Sequence, residues 1–260
     1  MATRSMYVWR LSAVLSAEGG VENVLSKAQR AGLSALWIKV ADGQTPFANT
    51  LGQMGQAFLQ LVEEAKTRGI EVWGWQVPHC PDAGAALAEA AQFATMAQRF
   101  NLDGLIMDAE GGAEFFAGGL QEAAAYADAM RSVADKIGVP LAISSNDIPQ
   151  NIANWFPKFS RIAQVCDVNF PQTYYGGSPS VQNRVDRAVQ ANSMLNATFI
   201  PVGSGYLGTG DGGCQSGSAC AECAVSFINL CNARGYEGYG FWHWGGAPLS
   251  LWDVLNNTPP

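Results

Sequence analysis

The sequence predicts one α/β domain over residues 1–260, folded as a (β/α)8 TIM barrel. Three observations carry this. Eight short apolar, β-branched and aromatic runs recur along the 260 residues, stretches with helical spacing lie between them, and several of those stretches stop at a glycine before the next run. Eight strands alternating with helices over about 250 residues is the rhythm of that barrel. The competing doubly wound sheet would carry Gly-x-Gly-x-x-Gly after its first strand, where this chain has Trp9-Arg10-Leu11-Ser12 instead.

The first run is Met6 to Leu11. Val21, Val24, Leu25 and Ala28 then recur at helical spacing, and Ala31-Gly32 supplies a left-handed cap. The second run, Ala35 to Ala41, precedes the clearest apolar stripe, Leu51, Met54, Phe58, Leu61, Val62 and Ala65, which ends at Arg68-Gly69. Glu71 to Val77 and Gly104 to Asp108 are the third and fourth runs, and Leu141 to Ser144, after Ile137-Gly138, is the fifth. Val165 to Gln172 is the sixth, followed by a helix marked by Val181, Val185 and Ala188. Thr198 to Val202 and, after Arg234-Gly235, Gly238 to Trp244 complete the eight.

At 48% hydrophobic and 14% charged, the chain can bury a large core. A net charge of -7 and the lack of any Lys/Arg cluster argue against a nucleic-acid partner, because phosphates need a positive footprint. No apolar run is long enough to span a membrane. No signal-peptide h-region precedes the first strand, so the protein is expected to be cytoplasmic, released by another route, or a mature secreted form. Of six cysteines, only Cys220-Ala-Glu-Cys223 has zinc-ligand spacing, and no second such pair accompanies it. A disulfide pinning the glycine-rich stretch 208–217 and free buried thiols are both open.

The segment with most chemistry is Leu102-Asp-Gly-Leu-Ile-Met-Asp108-Ala-Glu110-Gly-Gly112. Side chains alternate along a strand, so Asp108 and Glu110 project from one face at the carboxyl end of strand four, where such barrels carry their sites. Two acids held together repel when both are ionised, which leaves one proton donor beside one anion. That pair equips a chain to cleave a glycosidic bond. The same residues could instead cap a helix or bind loop amides.

The other strand ends are polar and aromatic. Lys39 and Asp42 close strand two, Trp73 and Trp75 precede Gln76 and His79 on strand three, and Asn146 and Asp147 follow strand five. Gln172 and Tyr174 end strand six, and Trp242 and Trp244 end strand eight. Six of the eight tryptophans lie on strands one, two, three and eight, which predicts a mouth lined with flat rings for sugar stacking. Trp244 is expected to reach that mouth and Trp242 to be core. His79 and His243 lack any triad motif and are read as structural.

Asp103-Gly-Leu-Ile106-Met-Asp108-Ala-Glu110 resembles the fourth-strand motif Asp-Gly-x-Asp-x-Asp-x-Glu of family 18 chitinase-like proteins, with Ile106 in place of the middle Asp. Gln172-Thr-Tyr174 resembles their sixth-strand motif, and Trp242 or Trp244 their eighth-strand tryptophan. Family 25 lysozymes also resemble the chain, through Asp-x-Glu and through Lys39-Val-Ala-Asp42-Gly43, although this chain has Trp9 and Arg10 where their first strand has an Asp.

The resemblance implies a retaining glycoside hydrolase acting on a β-linked, N-acetylated polysaccharide or oligosaccharide, peptidoglycan or chitin-like. In it Glu110 would be the acid, Asp108 would orient the substrate acetamide, Tyr174 would hold its oxygen, and no metal or organic cofactor would be needed. Gln172, Trp242, Trp244, Trp75, Lys39, Asp42, Asn146 and Asp147 would contact the sugar. Should the amide not participate, Asp42 or Asp147 would supply the second acid. Two alternatives stay open: a barrel that binds carbohydrate without cutting it, and a lyase or isomerase acting on a phosphorylated metabolite held at Gly203-Ser-Gly205 and Gly245-Gly246.

Overall fold

The computed structural model describes residues 2–112, 114–208 and 212–260. Eight parallel strands form the barrel: β1 (Thr3–Val8), β2 (Ala35–Asp42), β3 (Glu71–Val77), β4 (Gly104–Asp108), β5 (Leu141–Asn146), β6 (Val168–Gln172), β7 (Val202–Ser204) and β8 (Gly238–Trp242). β1 pairs with both β2 and β8, so the sheet closes on itself, as predicted, and the open doubly wound alternative is excluded. Strand ends differ from expectation by a few residues. The first strand stops at Val8, because Leu11 already opens a helix, and the eighth stops at Trp242.

The seventh strand is split. Thr198–Phe199 pairs with β6, the chain passes through Ile200 and Pro201, and β7 then pairs with β8 and, at Gln172, with β6. Proline has no N–H for the ladder, so the break falls there. Its carbonyl still accepts from the Gly240 N–H at 3.0 Å. A short segment, Thr45–Pro46, folds back antiparallel on β2.

The helices are α1 (Leu11–Glu18), α2 (Val21–Arg30), α3 (Gly52–Thr67), α4 (Ala83–Phe100), α5 (Leu120–Ile137), α6 (Phe156–Ala163), α7 (Val181–Asn192), α8 (Gly217–Ala233) and α9 (Leu249–Asn257). Gly32, Gly69, Gly138 and Gly235 close α2, α3, α5 and α8 with φ of 65°, 69°, 78° and 65°, the left-handed region read from the sequence. Asp82 and Ser180 cap α4 and α7 by accepting from the N–H three residues on. Among the described residues no helix is long and apolar enough to cross a membrane.

Two cores result. The outer one packs the aliphatic and aromatic stripes of the helices on the sheet. The inner one fills the barrel with rings, Tyr7, Trp37, Trp73, Trp75 and Phe170, with Ile106 among them and Trp242 packed on top. Trp37 stacks on Phe170 with ring centres 4.2 Å apart. Such bulk needs space from neighbouring strands, and glycine provides it. A Cβ on Gly104 would lie 2.2 Å from the Trp73 ring, and one on Gly240 2.5 Å from the Trp37 ring.

The predicted ring of mouth tryptophans is corrected by this packing: Trp37, Trp73 and Trp75 are barrel core. At the opposite end, the fully buried Arg4 donates to the carbonyls of Ala31, Leu255 and Thr258 and to the Tyr239 hydroxyl. Its charge is met by carbonyls at or just beyond the carboxyl ends of α2 and α9, where helix dipoles favour a cation.

Candidate active site

Strand register assembles the site. Asp108 ends β4 directly opposite Ser144 on β5, and Asn146 stands opposite Gln172 on β6. Glu110 follows two residues after Asp108, and all but Ser144 line a cleft of about 660 Å³ at the carboxyl ends of the strands. The Gln172 amide donates to Glu110 Oε1 at 3.0 Å and to Asp108 Oδ1 at 3.2 Å. Asn146 donates from Nδ2 to Glu110 Oε2 at 3.3 Å, while its own carbonyl accepts from Gly111 N at 3.0 Å. The turn carrying the acid is thereby fixed to the side chain that binds it.

The two acids differ in proton affinity. Burial pushes Glu110 up to about 8, reinforced by the charge of Asp108. Burial also raises Asp108, to about 6, but the Ser144 hydroxyl, the Lys39 ammonium and the Gln172 amide oppose the rise. Burial thus favours the protonated form of Glu110 more strongly than that of Asp108. Beneath Asp108 on the same strand face lies Ile106, fully buried among the barrel rings, where the motif it resembles carries an acid. Lys39, two strands away on β2, opposes the rise in Asp108 through its charge.

The remaining candidates divide. Tyr174 and Trp242 line the cleft beside the acids. The Tyr174 phenol stays protonated, its pKa raised well above the ordinary value by burial and then by Glu110. Trp244 does not line it: β8 has ended, a short turn follows, and the buried indole packs on Trp252 and donates to Glu18 Oε1 at 3.0 Å. Trp242, rather than Trp244, is therefore the tryptophan of the mouth. Trp75 is buried below the cleft and donates to the Trp37 carbonyl.

Lys39 and Asp42 form their own ion pair at 2.7 Å, and His79 Nε2 lies 2.6 Å from the other Asp42 oxygen. Asp147 lines the cleft but is bound to Arg184 at 2.5 Å. Both proposed substitute acids are thus already partnered, whereas Glu110 is met only by the two amides among the described residues. His243 is held neutral, lowered to about 4 by burial.

Three residues join the site beyond those nominated from sequence, Ser144 among them although it belongs to a polar strand end. Tyr7, on β1, lies in the field of both acids and keeps its proton because it is fully buried. Ser144 supports Asp108 from the facing strand. Tyr206 lines the cleft with its ring centre 5.9 Å from that of Tyr174. Polar or aromatic residues near strand ends were the available signal, but only barrel register brings these three together.

Gly203 and Gly205 do not form a phosphate cradle. A Cβ on Gly203 would meet the Phe227 and Tyr175 rings at about 3 Å, and one on Gly205 would meet Phe241 and the Trp242 carbonyl at 3.0 Å. The Ser204 hydroxyl accepts from Tyr175 N and donates to the Gly212 carbonyl. Gly246 is packed against His243 and Tyr206. Of the glycine-rich stretch 208–217, Gly212 lines the cleft, while Thr209, Gly210 and Asp211 lie outside the described residues. All six cysteines are free thiols, with Cys214 hydrogen-bonded to Cys220.

No family model and no curated protein matches the chain. Solved structures do. A family 18 chitinase from Pseudoalteromonas aurantia superposes with TM-score 0.65 at 12% identity, covering 98% of each chain. The C-terminal domain of a putative chitinase from Desulfitobacterium hafniense DCB-2 gives 0.70 at 10%, again over 98% of each. The spore cortex-lytic enzyme SleL of Bacillus megaterium QM B1551 gives 0.64 at 12%, covering all of this chain and 74% of SleL. The likeness spans the whole chain and is one of fold: this protein is a (β/α)8 barrel built like those of chitinases and of a cortex-lytic enzyme.

Proposed function

We propose that this barrel is a glycoside hydrolase that cleaves a β-linked, N-acetylated glycan of the chitin or peptidoglycan type. The observation that carries the reading is the Glu110–Gln172–Asp108 bridge: two carboxyl groups on one amide donor, open to the cleft. Glu110 protonates the departing glycosidic oxygen, worth typically 10²–10⁴-fold as general acid catalysis. Asp108 accepts the acetamide N–H and stabilises the positive charge that grows there as the acetamide oxygen attacks the anomeric carbon. Tyr174 donates to that oxygen.

Substrate-assisted cleavage of this kind does not need the carboxylate separation of ordinary retaining or inverting pairs. It suits a site whose other acids, Asp42 and Asp147, are held by Lys39 and Arg184. The chitinases and cortex-lytic enzyme with this fold support the substrate class.

A barrel that binds such a glycan without cutting it is the second reading, favoured by Ile106 standing where the motif has an acid. Release of reducing ends from chitin oligosaccharides, peptidoglycan and plain β-glucan separates the two. Cleavage confined to N-acetylated polymers and lost in Glu110→Gln is expected. Binding without cleavage by the unaltered protein would leave the second reading.

A further inference from the structure

Beyond Asn146 the cleft wall carries charge that the hydrolytic pair does not use. Asp147, only 3% exposed, accepts a hydrogen bond from Arg184 Nη2 at 2.6 Å and forms an ion pair with its Nε at 2.5 Å, which neutralises that guanidinium and holds it against the wall. Arg187, three residues further along α7, lines the same cleft and is exposed. Among the described residues it forms no ion pair, and its charge reaches Asp147 only at longer range. The amino end of α7 opens on this wall through Ser178 and Pro179 and adds positive potential. In a chain of net charge -7, an unneutralised cation in the cleft that also holds the acids is out of keeping with its surroundings.

The rest of the lining points the same way. Of eight tryptophans only Trp242 lines the cleft, joined by Tyr174 and Tyr206. A neutral polymer gripped by stacking would need more rings along the groove. Here the groove away from the acids offers no further ring, and beside Ile148, Ile152 and Pro179 it presents Asn151, Ser178 and the two arginines.

Resting on the hydrolase reading for the glycan itself, we propose that the substrate is a carboxylate-bearing N-acetylated glycan of the peptidoglycan type. Arg187 receives a carboxylate from a sugar or peptide substituent, and the Arg184–Asp147 pair forms the fixed wall behind it. A guanidinium at a half-open site discriminates by charge and by paired hydrogen bonds, and the charge component weakens as salt shortens its reach to about 8 Å at physiological ionic strength.

The test uses the full chain as Glu110→Gln, sedimented with insoluble peptidoglycan before and after its free carboxylates are amidated, and with chitin as the neutral polymer. Native peptidoglycan is expected to bind roughly threefold to tenfold more tightly than the amidated form. Adding Arg187→Glu should erase that ratio, adding Arg187→Lys should leave an intermediate one carried by charge alone, and raising the salt should shrink it. Equal binding to native and amidated polymer, binding to neither, or a ratio that survives Arg187→Glu overturns the proposal.

Sugar release by the protein with Glu110 intact is read separately. Carboxylate-dependent binding without any cleavage sinks the hydrolase and leaves the subsite. Equal kcat/KM on native peptidoglycan, amidated peptidoglycan and chitin sinks the subsite and leaves the hydrolase.

Discussion

Gln172 Nε2 stands 3.0 Å from Glu110 Oε1 and 3.2 Å from Asp108 Oδ1, so one amide donor serves two acids that would otherwise only repel. Its hydrogen bonds favour the ionised form of each, holding both pKa values below what burial alone would give. Gln172→Ala removes that restraint. The pH–activity curve for kcat/KM should move upward on both limbs, with kcat reduced roughly 10- to 100-fold through loss of alignment. A curve that keeps its midpoints would show that the amide does not couple the acids.

Wild-type kcat/KM should follow a bell. Activity falls as pH drops through about 6, where Asp108 gains a proton, and falls again as pH rises through about 8, where Glu110 loses its own. Initial rates on a soluble N-acetylated oligosaccharide between pH 4 and 10 measure both limbs. In Asp108→Asn the acid limb should disappear together with most of the rate.

The same acids bear on stability. Glu110 is raised when folded, so the folded chain binds more protons than the unfolded one between the two values, and stability present below about pH 4 is lost as pH rises through about 8. Glu110→Gln removes this dependence. Its Tm should exceed that of the wild type by roughly 2–6 °C at pH 8, taking about 1–2 kcal/mol after allowing for partial exposure, and should match it near pH 4. A gain that is largest at pH 4 would reverse the sign of the argument.

Gly104 is the register partner of Trp73 on the adjacent strand, and the indole leaves no room there for a methyl group. Gly104→Ala is expected to cost about 1–3 kcal/mol by overpacking, read as a lower midpoint in urea with an unchanged slope. Gly69→Ala, where nothing lies within 4 Å of the added carbon, should act only through its positive φ. Full wild-type stability in Gly104→Ala would mean that the ring stack is loose.

The eight strands and the acid pair were legible because both are local: apolar runs closed by glycine caps, and two carboxylates at spacing two where a strand ends. Gln172 and Asn146 could be nominated from their polar positions, but their contact with Glu110 depends on the register of β4, β5 and β6. Tyr7 and Ser144 look like ordinary strand residues until the barrel closes. Trp244 shows the limit of parity: alternation holds only while the chain is extended, and β8 ends two residues too early. Clustering of tryptophans on a few strands fits a lined mouth or a filled interior equally, and the space that Gly104 and Gly240 leave for the indoles of β2 and β3 decides for the interior.

Arg4 ties the start of β1 to the end of α9, and Pro260 packs near Gly32 in the same corner. Both chain ends described by the structure therefore meet on the face opposite the cleft. Grafted onto a bead through either end, the barrel would present its mouth outward, so that immobilisation leaves the cleft open to whatever is passed over it.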